Sequence, residues 1–517
     1  MKLNNLIISS FALLLALWPA AAQNVTLVKQ GAERVEFSPM LFGQFVEHFD
    51  RQVYGGIFCP GNPLSDEDGF RTDVIEAMKE LKVPIVRWPG GCFVSSYHWY
   101  YGVGPDRQPV FDKAWHVEDP NTFGTDEFVK WCRKVGCEPF ICTNAGTGTM
   151  EEMSDWVEYC NLNIGKFGRQ RIANGYPEPH NVKYWSIGNE NWGRHELGAK
   201  TVQEWGPLVR ESAKLMLSAD NDIKLFAAAL PDRDWTLPLI KTAGDYLDYV
   251  SIHGYWDGLA WNDNPSPFLK CMMRTDEPEK EIENTIDILE EAGFGGGKIK
   301  IAFDEWNLRG WHHPWLGDFR KGFDIEARKR NDRAATYTMA DAVFTACFLN
   351  ACLRHCDIVD IACFSPIANA RGALYVYPEG IVKRTTFHAL SMYANHLLPF
   401  VVPTENKVSG LSDGEKSTGV LDIVLTTDSE GDNFVYAIAN KDPKNKQSVL
   451  LDFKGMGKKA PKKVRAMVLS GNSTDDYNDI GSERVRPTWD TLAVKDGAVS
   501  LPPHSVILIF ISDEYSK

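Results

Sequence analysis

The sequence predicts an α/β protein in which a (β/α)8 TIM barrel is followed by a C-terminal β-sandwich. Between residues 41 and 398, short apolar runs alternate with amphipathic stretches of helical spacing. After residue 398 no long helical stretch appears, and short strand-like runs are separated by turn-rich loops. Eight strands that alternate with helices are typical of a closed parallel barrel, and strands without helices are typical of a sandwich.

The barrel strands are predicted as apolar runs that are mostly bounded by polar, glycine or proline residues, as expected of strands buried on both faces. They are Leu41–Phe49, Val83–Pro89, Cys137–Ala145, Val182–Glu190, Ile223–Leu230, Asp248–Trp256, Lys298–Asn307 and Ile358–Pro366. The clearest helices between them are Asp73–Leu81, Asp126–Val135, Met153–Phe167, Val202–Ser218, Glu279–Ala292 and Arg328–Arg354. A doubly wound open sheet is the alternative, but it usually carries a glycine-rich phosphate turn, a form that Gly55-Gly56 lacks.

The two flanks of the barrel are predicted to form one jelly-roll-like sandwich. Its strands are expected within residues 399–517, at Gly419–Thr426, Asn433–Ala439, Ser448–Phe453, Val464–Leu469 and Val506–Ile511. The segment 23–40 precedes the first barrel strand, and its stretch Val25–Glu36 is predicted to add a strand to this sandwich.

Residues 1–22 have the layout of a secretory signal peptide. Lys2 supplies a positive charge, the run from Leu6 to Trp18 is mostly apolar, and Ala20-Ala21-Ala22 offers small residues at the cleavage positions. The apolar run is too short to span a bilayer. We therefore expect an exported protein, either periplasmic or extracellular.

Charge and cysteine content exclude several classes of protein. The chain has 55 basic and 69 acidic residues, a net charge of −14, so nucleic-acid and membrane-surface partners are not expected. None of the 11 cysteines shows the paired CxxC spacing of a zinc site. Buried free thiols are expected, with one or two disulfides left open.

A glutamate ends each of two predicted barrel strands. Strand 4 finishes in Asn189-Glu190, and strand 7 finishes in Glu305-Trp306-Asn307. Because active sites of barrel enzymes lie at the carboxyl ends of the strands, both glutamates should face one cavity. Two carboxylates flanking a glycosidic bond are the usual equipment for its hydrolysis: one is protonated, with a raised pKa, and the other is charged.

Polar residues at neighbouring strand ends are expected to support these glutamates. Asn189 is placed to bind a sugar 2-hydroxyl, and Tyr255 on strand 6 is placed to orient Glu305. Arg87 on strand 2 would stabilise the charge of Glu305, although pairing with a structural acid is the alternative. His253, also on strand 6, is either a site residue or a hydrogen-bonding core residue.

Longer motifs connect the chain to a known family. The glutamates that end strands 4 and 7 resemble those of the large clan of (β/α)8 retaining glycosidases. Within that clan, six motifs in order resemble family 51 α-L-arabinofuranosidases over essentially the whole mature chain. They are Gly43-Gln44-Phe45-Val46-Glu47-His48, Arg87-Trp88-Pro89-Gly90-Gly91-Cys92-Phe93, Tyr97-His98-Trp99, Gly102-Val103-Gly104-Pro105, Asn144-Ala145-Gly146-Thr147-Gly148-Thr149 and Leu501-Pro502-Pro503-His504-Ser505-Val506.

The resemblance implies a reaction and a role for each matching residue. Glu190 would be the acid/base and Glu305 the nucleophile. The furanose hydroxyls would be bound by Glu47, Asn144 and Asn189, and Cys92 would line the −1 pocket. The enzyme would release terminal α-L-arabinofuranosyl units from an arabinose-containing polysaccharide or oligosaccharide with retained configuration, and the mechanism requires no metal or other cofactor. Relatives often form hexamers or other assemblies, so a homo-oligomer remains open.

Two segments depart from the family pattern. Ser365-Pro366-Ile367 stands where many relatives have a glutamine, and Arg194-His195-Glu196-Leu197 stands where many bacterial relatives have a Cys-Gly-Gly stretch. The second departure is expected to reshape the aglycone side of the site. The tryptophans proposed to line that side are Trp99, Trp192, Trp311 and Trp315.

Two other functions stay open from the sequence. One is a related retaining glycosidase that acts on another furanoside or on a β-glucan or xylan backbone. The other is a carbohydrate-binding protein without turnover. His312-His313 is predicted to be a surface pair rather than a metal site, because adjacent histidines point in different directions.

Overall fold

The computed structural model describes residues 24–258 and 265–512, so the predicted signal peptide lies outside the described residues. Eight parallel strands form a closed barrel, in which strand 8 pairs with strand 1. This confirms the predicted barrel. The strands are Gly43–Phe45, Ile85–Trp88, Glu138–Thr143, Tyr184–Ile187, Lys224–Ala228, Tyr249–Asp257, Lys300–Arg309 and Val359–Phe364.

A layer of apolar side chains closes the inside of the barrel below the carboxyl ends of its strands. Every strand contributes to this cluster, and Phe226 stacks on Tyr249 with ring centroids 4.3 Å apart. Side chains two positions apart on a strand point the same way. Ile85 and Tyr249 are in the cluster, so residues 87 and 251 face the barrel axis one layer higher, where Arg87 is buried.

The helices surround the barrel as predicted, with two corrections. The α-helices are Thr72–Leu81, Thr125–Val135, Met150–Asn161, Gly165–Ala173, Val202–Ala219, Arg233–Ala243, Phe268–Met272, Glu277–Ala292, Met339–Arg354 and Thr385–His396. The predicted helix Met153–Phe167 is divided into two, because Leu162 and Ile164 are extended, and the second helix begins at Gly165, whose φ is 77°. The predicted helix Arg328–Arg354 begins only at Met339, where Thr338 and Asp341 form a capping box.

Two packed sheets form the sandwich. The seven-stranded sheet contains, in spatial order, Val35–Glu36, Phe400–Val402, Leu421–Thr427, Phe434–Asn440, Ser505–Ile511, Lys463–Ser470 and Thr488–Ala493. The four-stranded sheet contains Thr404–Lys407, Asn24–Val28, Gln447–Leu451 and Ala498–Leu501. Both strands of the N-terminal segment therefore pair with strands of the C-terminal region.

The barrel and the sandwich share a hydrophobic core. The outer face of the seven-stranded sheet contributes Val424, Ala437 and Leu508 to the main apolar cluster of the barrel. The interface also contains an ionic contact, in which Arg354 Nη1 donates to Asp422 Oδ1 at 2.8 Å. The sandwich therefore stabilises the barrel from the side.

The cysteines agree with the expectation of buried free thiols. All eleven cysteines lie among the described residues as free thiols, and all of them except Cys59 are buried. Within residues 24–258 and 265–512, no helix has the length and apolar character needed to cross a membrane.

Candidate active site

A cavity of about 250 Å³ opens at the carboxyl ends of the barrel strands. Strands 6 and 7 and the segments that follow strands 1, 2, 4, 6 and 7 line it. The lining residues are Glu47, Cys92, Trp115, Glu190, Trp192, His195, Tyr255, Asp257, Gly258, Glu305, Gly310, Trp311 and His313. Carboxylates beside aromatic faces suit a ligand that presents both hydroxyl groups and an apolar ring face.

Glu305 is fixed by two short hydrogen bonds. Arg87 Nη1 donates to its Oε2 at 2.6 Å, and the Tyr255 hydroxyl donates to its Oε1 at 2.6 Å. The pairing of strands 7 and 8 shifts register around Glu305. Such an irregularity re-aims side chains, and here both Asp304 and Glu305 contact Arg87 although they are adjacent in a strand.

Arg87 is a fully buried cation that joins several site residues. Its Nε lies 3.0 Å from Asp304 Oδ2, and its Nη2 donates to Asn189 Oδ1 at 2.7 Å. Although burial raises the pKa of Asp304, the charge of Arg87 and the bonds from His253 hold it below its ordinary value. The floor of the cavity is therefore an ionised network rather than a set of neutral acids.

Glu190 follows strand 4 and contacts two histidines. Its φ of 43° is a left-handed conformation that residues other than glycine adopt rarely, and such residues cluster at functional sites. His195 Nε2 lies 2.7 Å from Oε2, and His253 Nδ1 lies 2.9 Å from Oε1. Oxygens of Glu190 and Glu305 lie within 4.8 Å of each other, with His253 in contact with both.

Glu190 lacks the raised pKa that is expected of an acid catalyst. Burial does raise the pKa, but the hydrogen bonds and charges of His195 and His253 hold it well below its ordinary value. Burial lowers the pKa of both imidazoles, yet the bond with Glu190 raises that of His195 to about 9. The charge of Glu305 similarly raises the pKa of His253 to about 10. Near neutral pH, the histidines therefore hold the protons and Glu190 holds a charge.

Glu47 is a buried carboxyl group at the wall of the cavity. Its Oε1 accepts hydrogen bonds from the backbone N–H groups of Gly91 and Phe93 and from Trp115 Nε1, at 3.0, 3.0 and 2.9 Å. Gly90 permits this approach, because a Cβ there would lie 2.3 Å from Glu47 Cγ. Burial, followed by the charge of Glu305, raises the pKa of Glu47 to about 8. It can therefore donate a hydrogen bond to a ligand hydroxyl near pH 7.

The loop after strand 4 is tied to the other side of the cavity. Asn189 donates through Nδ2 to Glu196 Oε1 at 3.0 Å, and Ser95 Oγ donates to Glu196 Oε2 at 2.7 Å. Burial raises the pKa of Glu196 to about 7 and that of Cys92 well above its ordinary value. Cys92 therefore presents a neutral thiol to the cavity.

Comparison with known proteins places the chain in a family. The model of the alpha-L-arabinofuranosidase 1 domain matches residues 77–269, and that of the alpha-L-arabinofuranosidase C-terminal domain matches residues 304–505. A probable alpha-L-arabinofuranosidase C of Aspergillus clavatus is 34% identical over 505 residues, with 92% of this chain and 94% of that protein covered. The chain belongs to the α-L-arabinofuranosidase family.

Two further members of this arabinofuranosidase family show how far the likeness extends. An intracellular exo-alpha-(1->5)-L-arabinofuranosidase of Acetivibrio thermocellus is 34% identical over 483 residues, with 90% of this chain and 94% of that protein covered. The solved structure of the thermostable GH51 alpha-L-arabinofuranosidase of Thermotoga petrophila superposes with a TM-score of 0.80 at 30% identity. It covers 95% of this chain and 100% of that one. The resemblance to family 51 is thereby confirmed.

Six residues proposed for the site of this arabinofuranosidase do not line the cavity. Three of them, Arg87, Asn189 and His253, lie behind its wall and are hydrogen-bonded to the site network. The other three, Trp99, Asn144 and Trp315, are bonded elsewhere or lie farther away. Trp99 is 1% exposed, stacks on Trp156 and donates through Nε1 to a backbone oxygen, so it belongs to the core. The amide of Asn144 is bonded to backbone groups of its own loop and of Tyr97. Trp315 lies further along the loop after strand 7, whereas Trp192 and Trp311 do reach the cavity.

The predicted surface position of His312-His313 is wrong. His312 is buried and contacts Arg371, and His313 lines the cavity with its ring stacked 4.8 Å from that of Trp115. Trp115 itself was missed, because it lies in a short hairpin between strand 2 and the following helix that carries no sequence motif. Asp304 was also missed, although its position beside Glu305 was a signal.

Two groups of side chains among the described residues have atoms placed to hold a metal ion. They are Cys92, His195 and Glu196, and Glu190, His253 and Glu305. In the first group, His195 already contacts Glu190, and Glu196 accepts a hydrogen bond from Ser95. In the second, the histidine contacts both carboxylates. Hydrogen bonds and ionic contacts of these side chains therefore explain why they lie close together.

Proposed function

We propose that this arabinofuranosidase releases terminal non-reducing α-L-arabinofuranosyl units by double displacement, with Glu305 as the nucleophile and Glu190 as the acid/base. The observation that carries the retaining mechanism is the closeness of the two carboxyl groups, which have oxygens within 4.8 Å of each other. Retaining glycosidases place their carboxyl groups about 5 to 5.5 Å apart, whereas inverting enzymes leave room for a water molecule.

The surroundings of Glu305 support its attack on the anomeric carbon. Arg87 and Tyr255 bind one oxygen each, so the carboxylate stays in one orientation while it forms the glycosyl ester. Holding a nucleophile in place lowers the entropic part of the barrier. As the bond to the anomeric carbon forms, the bond to the leaving oxygen breaks and that oxygen takes a proton from Glu190.

The second half of the reaction reverses the role of Glu190. As a carboxylate, it accepts a proton from water while the water oxygen attacks the anomeric carbon and Glu305 leaves. The hydrogen bonds of Glu190 with His195 and His253 favour this charged form. Because both displacements occur at one carbon, the product keeps the configuration of the substrate.

Several lining residues fit recognition of a single furanose ring. Glu47 offers a protonated carboxyl group, and Cys92 a neutral thiol. Trp115, Trp192 and Trp311 offer aromatic faces to the ring and to the sugar that follows it. Asn189 is bonded to Arg87 and Glu196, so a sugar hydroxyl would share its amide with those partners.

The first test is hydrolysis of 4-nitrophenyl α-L-arabinofuranoside, with Glu305→Ala as control and a panel of other aryl glycosides beside it. We expect turnover that vanishes in the control, with the first arabinose released in the retained configuration by NMR. Activity only elsewhere on the panel would assign a different sugar specificity. Saccharide binding without turnover on any glycoside or arabinose-containing polymer would instead identify a binding protein.

We also propose that the protein is exported and cleaved after residue 22. The support is the sequence of residues 1–22, with its charged start, apolar run and small residues at the cleavage positions. The Acetivibrio relative is described as intracellular, so export would distinguish this chain from it. Fractionation of the native cells followed by N-terminal sequencing should find Gln23 first, outside the cytoplasm. A cytoplasmic protein that retains Met1 would contradict export.

A further inference from the structure

His195 has a defined place in the loop that follows strand 4. Gly193 N donates to Glu190 O at 2.6 Å, and Glu196 N donates to Gly193 O at 3.0 Å, so the backbone turns tightly around this segment. The Glu196 side chain is anchored by Ser95. The imidazole of His195, with 23% of its side chain exposed, is thus held between the cavity and solvent, with Nε2 2.7 Å from Glu190 Oε2.

The groups that face His195 come from several elements. Its own loop supplies Glu190 and, at 3.9 Å, Glu196. Strand 7 supplies the charge of Glu305, and the loop after it places the ring of His313 5.5 Å away. The other titratable neighbours are Cys92 in the loop after strand 2 and His253 on strand 6, which shares Glu190. Carboxylates dominate this set, so it favours a protonated His195.

We propose that His195 is the proton reservoir of Glu190, so that the two side chains act together as the acid/base. The inference rests on the proposed roles of Glu190 and Glu305. In the free enzyme, His195 Nε2 holds the proton and Glu190 is a carboxylate. As the glycosidic bond breaks, the proton passes from Nε2 to Glu190 and on to the leaving oxygen, which leaves His195 neutral. In the second step, water gives a proton to Glu190, and it returns to His195.

His253 is less suited to this role, although it also contacts Glu190. The side chain of His253 is only 5% exposed, and its Nε2 lies 3.5 Å from Asp304 Oδ1. Its Nδ1 lies 2.9 Å from Glu190 and 3.7 Å from Glu305. A proton there is held by three carboxylates at the cavity floor, whereas His195 lies at the rim and can exchange its proton with solvent during turnover.

The test is the pH profile of His195→Gln, because glutamine keeps an N–H donor but cannot titrate. Activity is measured as kcat/KM on two arabinofuranosides, one with a poor alkyl leaving group and one with a 2,4-dinitrophenyl group that needs no proton. On the poor leaving group, we expect the alkaline limb of the variant to move down by at least about one pH unit. On the dinitrophenyl substrate, the alkaline limbs of both enzymes should coincide.

A matched control tests whether any histidine–glutamate pair would do the same. His355 Nε2 lies 3.2 Å from Glu279 Oε1, next to the amino end of strand 8 and away from the cavity. His355→Gln should leave the alkaline limb in place. An unshifted limb in His195→Gln, or an equal loss on both substrates at every pH, would overturn the proposal.

A second measurement does not depend on activity. NMR titration of the His195 ring in the wild type and in Glu190→Gln should show a lower pKa in the variant, because the carboxylate that favours the charged ring is gone. An unchanged pKa would overturn the pairing. Failure of the proposed function appears differently, as a wild-type enzyme that hydrolyses neither substrate or a Glu305→Ala variant that keeps its activity.

Discussion

The two carboxylates proposed to be catalytic are held by different kinds of partner. Glu305 lies on strand 7 and is bonded by Arg87, a permanent cation, and by the Tyr255 hydroxyl. Glu190 lies in the loop after strand 4 and is bonded by His195 and His253, which can gain and lose protons. The direct hydrogen-bond partners of Glu305 therefore do not include a histidine, although His253 lies 3.7 Å away, whereas both partners of Glu190 are histidines.

This difference matches the work of each group. A nucleophile must stay charged and oriented until it attacks, so partners that do not titrate suit it. An acid/base must change its protonation twice in each cycle, so partners that exchange protons suit it. Strand 7 carries the proposed nucleophile, and the loop after strand 4 carries the proposed acid/base.

The largest effect is expected from removing the fixed cation. Arg87→Met leaves Asp304 and Glu305 buried without their partner, which should lower the free energy of unfolding by about 3 to 5 kcal/mol near neutral pH and abolish most turnover. Arg87 lowers the pKa of Asp304, so the stability that this pair adds is lost as pH falls. The deficit of the variant should therefore shrink in acid. Chemical denaturation at neutral and acidic pH measures this.

Arg71→Met is the matched control for that variant. Arg71 is also buried and bonded to a carboxylate, Asp73 at 2.6 Å, but it lies at the start of the first helix, away from the cavity. The Arg71→Met variant should have a lower free energy of unfolding but an unchanged kcat per folded molecule. Equal kinetic losses in both variants would show that Arg87 acts only through the fold.

The next largest effect is expected at Glu190, whose histidine partners titrate. Glu190→Ala should lower kcat/KM by about 10²- to 10⁴-fold on alkyl arabinofuranosides and arabino-oligosaccharides, whose leaving oxygens need a proton. On 2,4-dinitrophenyl arabinofuranoside the rate of glycosyl-enzyme formation should fall far less. Pre-steady-state bursts separate that step from hydrolysis of the intermediate. Equal losses on good and poor leaving groups would remove Glu190 from the acid role.

A smaller effect is expected from Tyr255→Phe, which removes one bond to the nucleophile. A hydrogen bond to a charged group contributes about 1.5 to 3 kcal/mol, so kcat/KM should fall roughly 10- to 150-fold. The loss should be similar for good and poor leaving groups, since the bond acts on Glu305. Tyr249→Phe is the control, because its hydroxyl bonds Asp360 at 2.7 Å at the amino end of strand 8.

Sequence reasoning placed the residues on or next to the strand ends more surely than the aromatic residues of the longer loops. Glu305 and Tyr255 lie on strands whose apolar pattern fixes their place at the cavity rim. Trp99 and Trp115 follow the same strand, yet only Trp115 reaches the cavity, because loop packing decides their direction. The contact of His195 with Glu190 likewise depends on a tight turn that no local periodicity encodes.

The smallest effect is expected at Ser365, directly after strand 8, where the sequence departs from the family pattern. Ser365 Oγ lies 3.0 Å from the Tyr255 hydroxyl, which places it behind the partner of Glu305. Ser365→Ala should therefore lower kcat/KM by no more than about tenfold, the value of one neutral hydrogen bond. In a Tyr255→Phe background the same change should have almost no effect, since the two residues act in series. A raised KM for arabinosides with unchanged kcat would instead mean that Ser365 binds the sugar directly, in place of the glutamine found in many relatives.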